Sequence, residues 1–217
     1  MKLYKGYPQI YNVTRNPLLL GRFQNSNKTL EDIQKSLEDY LETKRAAFAR
    51  FYFLTNDELL EILSQTRNVQ AVQPFLRKCF DSILKIEFST VKNSRDINGM
   101  WSAELEYVPF SGIVKAEGNV EFWLKDIERM MISTLYDITK KSMVEYPTNG
   151  IERNEWLFNY PAQPVITIDQ VMWTTGVTAA ITEIMRGKNR KALEEFLQFS
   201  ILQINKMVDL VRGDLNS

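Results

Sequence analysis

Apolar residues recur every three or four positions through long stretches of this chain, whereas one short central interval alternates instead. The helical stretches are 27–48, 119–146, about 166–186 and about 189–212. A period near 3.6 residues predicts amphipathic helices. Within 84–110, every second residue from Leu84 to Phe88 is apolar, which predicts half-buried strands. This order of elements predicts a helix-dominated α+β fold, in which helical subdomains flank a small antiparallel β-hairpin or meander.

The predicted organisation has three parts: a helical subdomain at 1–82, an antiparallel β element at 83–115 and a helical bundle at 116–217. Parallel α/β architecture is disfavoured, because the predicted strands do not alternate with the helices along the chain. Residues 1–26 are rich in proline, glycine and asparagine, so they are predicted to be irregular. The first long helix is then predicted to begin at Asn27 as its N-cap.

Three short segments carry local signals. Phe51–Phe53 is an aromatic run typical of extended structure. Thr55 and Glu58 have the spacing of a capping box, in which each side chain accepts a hydrogen bond from the other residue's backbone N–H. Asn98-Gly99 is a turn signal, so two further short strands are predicted between it and residue 110.

The charges balance, with 27 lysine and arginine residues against 27 aspartate and glutamate residues. A neutral chain gives no electrostatic reason to expect a nucleic acid or an anionic membrane surface as partner. One basic cluster surrounds Gly187, but Glu194 and Glu195 follow it closely, so it is predicted to be a solvated turn between helices. Its members are Arg186, Lys188, Arg190 and Lys191.

The residue types needed for catalysis are sparse. The chain has no histidine, and its single cysteine, Cys79, allows no intrachain disulfide, which fits a reducing cytosolic compartment. No G-x-x-x-x-G-K-[ST] phosphate loop occurs. Two carboxylate pairs are candidates for acid–base chemistry, Glu58 with Glu61 and Glu104 with Glu106, the second expected on one face of a strand. Neither pair has a base or metal ligand beside it, so no catalytic, cofactor or metal residue is predicted.

The N-terminal residues lack the apolar core of a signal peptide, and no run reaches the ~18 apolar residues that span a bilayer. We therefore expect neither a secretory leader nor a membrane segment. Cys79 lies on the apolar face of a predicted helix. It is predicted to be a buried structural thiol, although the neighbouring Lys78 leaves a reactive thiolate as the alternative.

Several ordered blocks resemble the linker region of dynein heavy chains. They are RFYFLTNDELLEILSQTRNVQAVQPFLRKCF at 50–80, MWSAELEYVPFSG at 100–112, GNVEFWLKDIERMM at 118–131, RNEWLFNYPAQPVITIDQVMWTTGV at 153–177 and LVRGDL at 210–215. The segments KAEGNVEFWL and LETKRAAFARFYFL resemble the corresponding sequences of axonemal dyneins more than those of cytoplasmic dyneins. Departures from the family pattern include Ala49 for proline, Thr55 for serine, Phe75 for histidine and Leu105 for glycine.

The resemblance implies a mechanical role. A dynein linker connects the tail to the first AAA+ module and swings as the ring passes through its nucleotide cycle. The partners implied are the AAA+ ring and the rest of the heavy chain, with intermediate chains, light chains and microtubules reached only through the parent complex. ATP and Mg²⁺ would belong to AAA+ modules absent from this sequence, so the segment is not expected to be an enzyme by itself. The implied location is the cytoplasm and cytoskeleton, in the axoneme of a cilium or flagellum.

Aromatic residues are the main candidates for docking or for orienting subdomains. The predicted set is Arg50, Phe51, Tyr52, Trp101, Trp156 and Tyr160. Trp123 and Trp173 lie on helical apolar stripes and are predicted to be core. A compliant joint is predicted at 49–56 or 147–165, where the helical pattern is interrupted.

Two alternatives come from other functional classes. One is a free-standing helical interaction module, or a truncated remnant without motor activity, which would expose no large apolar patch. The other is an enzyme of unknown type, which a convergent polar pocket would support. A linker segment, in contrast, should expose apolar faces that other parts of the motor cover.

Overall fold

The computed structural model describes Arg15 and residues 17–65, 68–91, 94–147 and 153–213. Its α-helices are α1 (Pro17–Ala47), α2 (Asn56–Ser64), α3 (Leu76–Cys79), α4 (Val120–Val144), α5 (Arg153–Asn159), α6 (Ala162–Met185) and α7 (Ala192–Arg212). Its strands are β1 (Ile83–Phe88), β2 (Asp96–Ser102) and β3 (Tyr107–Lys115), and 3₁₀-helices occur at Ala49–Phe53 and Val69–Phe75. The prediction of a helix-dominated α+β fold with a small antiparallel sheet is confirmed.

The first helix begins ten positions earlier than predicted, at Pro17 instead of Asn27. Proline is well tolerated at the first helical position, where its missing N–H has no intrahelical partner to lose. Asn27 therefore lies inside the helix with its side chain exposed, and it caps nothing. Gly21 also lies within this helix. The glycine therefore does not make the segment irregular, as the composition of residues 1–26 had predicted.

The aromatic run after α1 is a 3₁₀-helix, Ala49–Phe53, and the prediction of extended structure was wrong. The N–H of Phe51 donates to the carbonyl of Phe48 at 3.0 Å. The Phe51 ring is fully buried and packs edge-on against Phe48, with 5.0 Å between ring centroids. Tight 3₁₀ winding brings both rings inward, which an extended strand would prevent by alternating them.

The predicted capping box is present at the start of α2. The Oγ1 of Thr55 accepts from the N–H of Glu58 at 3.3 Å, and the Glu58 carboxylate accepts from the N–H of Thr55 at 3.0 Å. Two otherwise unpaired helix donors are satisfied in this way. The local sequence signal was sufficient here because both partners lie within one helical turn.

The sheet is a three-stranded antiparallel meander in the order β1-β2-β3. Asn98-Gly99 is not a turn, because both residues lie within β2. A Cβ on Gly99 would lie 2.7 Å from both the Tyr107 ring and the carbonyl oxygen of Val108. The pairing with β3 shifts register between Ile97 and Gly99, so this glycine is needed for close strand approach at an irregularity.

The turn from β2 to β3 contains Leu105, whose φ of 69° lies in the left-handed region. Its N–H donates to the carbonyl of Ser102 at 3.1 Å, and its side chain is exposed. A non-glycine residue in this conformation is strained by about 1–2 kcal/mol. Leu105 therefore keeps the turn that the family pattern builds with glycine, at a cost in stability.

We expect Leu105→Gly to stabilise the chain by about 0.5–1 kcal/mol, because relief of the left-handed strain exceeds the added entropy of the unfolded chain. Urea unfolding followed by circular dichroism measures this difference. Leu105→Ala is the control, since it removes the same exposed side chain and keeps the strain. Equal midpoints for the two variants would contradict the explanation.

The chain divides into two compact units. The first comprises the described residues through Asp81 with Gly118–Leu124, and the second comprises Ser82–Glu117 with the described residues from Lys125 onward. In the first unit, Phe48 packs against Phe51 and Phe80. In the second, α6 packs along α7, and the N–H of Ser111 in β3 donates to the buried Thr134 hydroxyl of α4 at 3.0 Å.

Candidate interaction surfaces

Arg50 holds together parts of the first unit. Its guanidinium donates to the carbonyl of Cys79 at 3.0 Å and lies 4.7 Å from the centroid of the Phe80 ring. The 3₁₀-helix at Ala49–Phe53 is thereby fixed to the end of α3. With Phe51 buried beside it, the predicted joint segment at 49–56 is well packed around Arg50 in this structure.

Tyr52, in contrast, faces solvent. Its hydroxyl donates to the Glu42 carboxylate, and the Arg45 guanidinium lies 6.0 Å from the ring centroid. The hydrogen bond to Glu42 raises the pKa of the Tyr52 phenol. Tyr52 and the neighbouring Phe53 are both exposed, so they form an aromatic surface on the first unit.

Trp101 lies in β2 and is half-buried. Its indole N–H donates to the Glu87 carboxylate at 2.6 Å, its ring lies 5.0 Å from that of Tyr107, and the Lys85 ammonium lies 4.8 Å from its centroid. Strands β1, β2 and β3 each contribute one or more of these groups. The Trp101 ring is therefore held in place while part of it remains accessible.

Trp156 is a core residue of the second unit, with 1% of its surface exposed. Its indole N–H donates to the carbonyl of Ser142 at 2.9 Å. It packs against Val165 and Ile168 of α6. A ring so completely enclosed offers no surface to a partner in this conformation, so its role here is to fix α4, α5 and α6 together.

Tyr160 packs at the edge of the same cluster, 6.1 Å from Trp156 between ring centroids. Its hydroxyl donates to the Glu145 carboxylate. Burial and then this hydrogen bond raise the pKa of Tyr160 to about 12. The phenol is therefore neutral over the physiological range, and it ties the residue after α5 to the end of α4.

The raised pKa of Tyr160 predicts a loss of stability at high pH. The unfolded tyrosine ionises near pH ~10, whereas the folded one keeps its proton until about pH 12. Its contribution is complete below pH ~10 and is lost as pH rises toward 12, because the folded state binds the proton more tightly. We expect the wild type to lose more stability than Tyr160→Phe between about pH 9 and pH 11 in urea titrations. Equal losses would contradict this.

Members of both candidate carboxylate pairs have structural partners. Glu58 belongs to the capping box and also pairs with Lys78 at 2.5 Å, and the Lys78 ammonium lowers the pKa of its carboxyl. Glu104 and Glu106 lie in the turn between β2 and β3, not on a strand as predicted. The Glu106 carboxylate accepts from the backbone N–H of Ala162 at 3.0 Å, so it caps the start of α6.

Cys79 is buried, and burial raises the pKa of its thiol to about 11. A thiol with such a pKa is almost entirely protonated at neutral pH and is a poor nucleophile. The interpretation of a structural cysteine is supported. The basic cluster around Gly187 forms the exposed turn between α6 and α7, as predicted, with Gly187 at a φ of 70°.

A buried ion pair that the sequence did not reveal lies in the first unit. The Lys44 ammonium of α1 contacts the Glu121 carboxylate of α4 at 2.6 Å, and the side chains are 16% and 3% exposed. The hydrogen bond to Glu121 raises the pKa of Lys44. The second Glu121 oxygen is buried without a hydrogen-bond partner. No sequence signal identifies such a pair, because the partners are separated by 77 positions.

Several large apolar residues are exposed on each of the long helices α1, α4, α6 and α7. On α1, most of the predicted apolar stripe is exposed to solvent; Leu30 is 62% exposed and Ile33 is 58% exposed. Among the side chains of α1 that the structure describes, Leu41 is buried. On α6, Trp173 is 57% exposed, so its prediction as a core residue was wrong, whereas Trp123 is buried as predicted. The exposed large apolar residues of α7 are Leu193, Leu197, Phe199, Ile201, Leu202, Ile204, Met207, Val208 and Val211.

Among the described residues, no cluster of three or more acidic, cysteine or histidine side chains is placed to bind a metal ion. No helix within those residues has the length and apolar character needed to cross a membrane.

The dynein heavy chain, N-terminal region 2 family matches residues 1–142. Dynein axonemal heavy chain 6 from Homo sapiens is 40% identical over 99% of this chain, which spans 6% of that protein. Dynein axonemal heavy chain 2 from Mus musculus is 44% identical over 93% of this chain, which spans 4% of it. Dynein axonemal heavy chain 12 from Rattus norvegicus is 38% identical over 100% of this chain, which spans 7% of it.

Proposed function

This chain belongs to the dynein heavy chain, N-terminal region 2 family, and on that premise we propose that it is a mechanical linker segment. It couples nucleotide-driven changes in the AAA+ ring to movement of the tail in microtubule-based motility. ATP and Mg²⁺ are bound by AAA+ modules elsewhere in the heavy chain. Since its relatives are axonemal heavy chains, its expected location is the axoneme of a cilium or flagellum.

The observation that carries the proposal is the set of uncovered apolar faces. Large contiguous apolar surfaces are rare on proteins that work alone, because exposure of such surfaces to water is unfavourable. Here α1, α6 and α7 each expose several large apolar side chains in the described residues. The chain spans 4–7% of the relatives compared, so most of a heavy chain lies outside it and is available to cover these faces.

The helices supply the stiffness that a force-bearing arm needs. Helix α1 has 31 residues and α4 has 25, which correspond to roughly 46 Å and 38 Å of continuous helix. A swing also requires a surface whose contacts with the ring differ between the nucleotide states of the ring. Without such a difference, the ring would bind the bent and straight forms of the arm equally and could not shift the balance between them. The exposed faces of the helices are the candidates for such changing contacts.

Acidic substitutions on the α1 face test the proposal in the full-length heavy chain. We expect Leu30→Glu with Ile33→Glu to slow microtubule gliding several-fold while ATP turnover by the ring persists. Buried contacts of this face would carry force, and charged groups would separate them. The matched control is Asn25→Glu with Ser36→Glu, which adds the same charge to exposed polar positions of the same helix, centred about 100° from Leu30 and Ile33 on its 100°-per-residue wheel.

The experiment separates the two functional classes. Slowed gliding with retained ATP turnover, found in the face variant and not in the control, supports a coupling arm. Unchanged gliding in a face variant that remains folded by circular dichroism would reject it and favour the free-standing interaction module. That alternative is disfavoured at present by the extent of exposed apolar surface on α1, α6 and α7.

A further inference from the structure

The turn between α6 and α7 concentrates positive charge in a chain whose charges otherwise balance. Four of the six residues at 186–191 are basic, whereas the whole chain has 27 basic and 27 acidic residues. We call this segment the basic turn, and its charged members are Arg186, Lys188, Arg190 and Lys191. All four of these side chains are exposed, so their charges are accessible to an anionic partner.

The backbone of the basic turn is fixed by local hydrogen bonds where it leaves α6. The N–H of Gly187 donates to the carbonyl of Ile184 at 2.9 Å. The N–H of Lys188 donates to the carbonyl of Glu183 at 3.0 Å. These two bonds form a Schellman motif, with Gly187 in the left-handed region at a φ of 70°. Because the turn is ordered before a partner arrives, binding orders little additional backbone.

The acidic residues beside the basic turn do not neutralise it. The Glu195 carboxylate accepts from the Asn189 amide at 2.8 Å, and the Asn189 side-chain oxygen accepts from the N–H of Lys191 at 2.9 Å. Glu194 and Glu195 lie in the first turn of α7, where carboxylates stabilise the helix dipole. Within the part of the chain that the structure describes, no salt bridge involves any of the four basic side chains. Carboxylates of a partner would supply these counter-charges.

The residues around the basic turn favour a protein partner over a nucleic acid or a lipid surface. No aromatic residue occurs at 186–191, so no side chain of the turn can stack on a base. A continuous polyanion would also approach the exposed Glu194 and Glu195, which would repel it. A short acidic segment can confine its charges to the turn. The complementary partner is therefore a protein segment with several aspartate or glutamate side chains close together.

We propose that the basic turn binds an acidic segment of the same heavy chain, from outside these 217 residues, through several exposed ion pairs. The inference rests on the proposal that the chain works as an arm inside a heavy chain. Exposed ion pairs are individually weak, so they suit a partner that is tethered at high effective concentration. The chain spans 4–7% of the relatives compared, which leaves most of a heavy chain to supply that partner. Weak pairs also break readily, as a contact that changes with the nucleotide state requires.

Carbodiimide crosslinking of the purified full-length heavy chain tests this. The reagent joins a lysine amine to a carboxylate without a spacer, so it links only groups that are in contact. Lys188 and Lys191 are the probes in the basic turn, and the exposed Lys125 and Lys140 of α4 are the controls. Mass spectrometry identifies the attached peptide. We expect the probes to attach to one acidic segment outside these 217 residues, with several-fold higher yield than the controls.

Two changes show whether charge causes the contact. Arg186→Gln with Arg190→Gln removes two charges from the turn and keeps both lysine probes, and we expect it to reduce the crosslink yield several-fold while circular dichroism stays unchanged. The matched control, Arg77→Gln with Arg129→Gln, removes two exposed charges elsewhere and should not reduce the yield. Raising the salt concentration from about 0.01 M to about 0.15 M should also reduce the yield, because the Debye length falls from about 30 Å to about 8 Å.

Several results would overturn the proposal. Crosslinks confined to the neighbouring Glu183, Glu194 and Glu195, or no crosslink at either probe, would show that the turn is only solvated. Crosslinks spread over many heavy-chain segments would show that no single segment binds it. Attachment to a co-purified protein would show that the partner is not the heavy chain. A yield insensitive to both the arginine substitutions and salt would show that charge does not hold the contact.

The outcome is independent of the gliding assay. The gliding test changes Leu30 and Ile33 in the first unit, whereas the basic turn lies in the second. Failure of the crosslink with preserved coupling would reject this contact and leave the mechanical function standing. A specific crosslink in a chain whose gliding is insensitive to the α1 substitutions would support the contact and reject the coupling arm.

Discussion

Trp156→Ala is expected to destabilise the chain by about 3–5 kcal/mol, the range for removal of a buried tryptophan. The side chain is 1% exposed and packs against Tyr146, Val165 and Ile168. Its removal leaves a cavity where α4, α5 and α6 meet, and it deprives the Ser142 carbonyl of its indole donor. Urea unfolding monitored by circular dichroism measures the loss.

Trp173→Ala is the matched control, since it removes the same side chain from a site that is 57% exposed. We expect it to cost less than about 1 kcal/mol, as for most surface substitutions. Trp156→Phe should fall between the two, because it keeps most of the apolar volume and loses the hydrogen bond to Ser142. Similar losses for the alanine variants at 156 and 173 would show that the burial difference does not determine stability.

Lys44→Met is expected to cost about 3–5 kcal/mol, because it leaves the Glu121 carboxylate buried without its counter-charge. The two groups are 2.6 Å apart, and the Glu121 side chain is 3% exposed. Water cannot replace the lost ammonium easily at so enclosed a site. The measurement is the free energy of unfolding at neutral pH.

A variant that lacks both charges distinguishes two contributions to the free energy of unfolding: the destabilisation caused by an unpaired buried charge, and the net stabilisation that the ion pair provides. Lys44→Met with Glu121→Leu should recover most of the loss, since buried ion pairs are often replaced by apolar residues at little cost. Lys78→Met is the control at the more exposed pair with Glu58, and we expect a loss below about 1 kcal/mol. A double variant as unstable as Lys44→Met alone would contradict the explanation.

Helix existence was predictable, but several helix ends were not. The periodicity identified α4 and α7 within a few residues of their observed bounds. For α1, the proline and glycine residues predict an irregular segment, yet Pro17 begins the helix and Gly21 lies inside it. Proline and asparagine are common both in turns and at the first residues of helices, so the local sequence does not distinguish a turn from a helix start.

The prediction for Gly99 was wrong for a related reason. Asn-Gly is a strong turn signal, but in β2 the glycine makes room for the Tyr107 ring and the carbonyl of Val108. The real turn uses Leu105 in a left-handed conformation that glycine would adopt more readily. The family pattern, which has glycine there, contained the better indication of where the chain reverses.

Only the tertiary structure shows which of the tryptophan residues are buried and which are exposed. Trp123 and Trp173 both lie on a helical apolar stripe, yet one is buried and the other exposed. Trp156 was a candidate for a partner surface and is enclosed, while Trp101 is half-buried and held by Glu87. An apolar stripe shows which side of a helix avoids water, but not whether this chain or another segment covers it.

By itself, the sequence determined the helical and strand periods, the capping box at Thr55 and the family, since each depends on residues close together or on ordered motifs. The tertiary structure decided the pairing of Lys44 with Glu121 and the cap that Glu106 provides for α6. The physical reason is distance along the chain. Local hydrogen bonds and periodicity act within a few residues, whereas burial and charge pairing depend on which distant segments fold together.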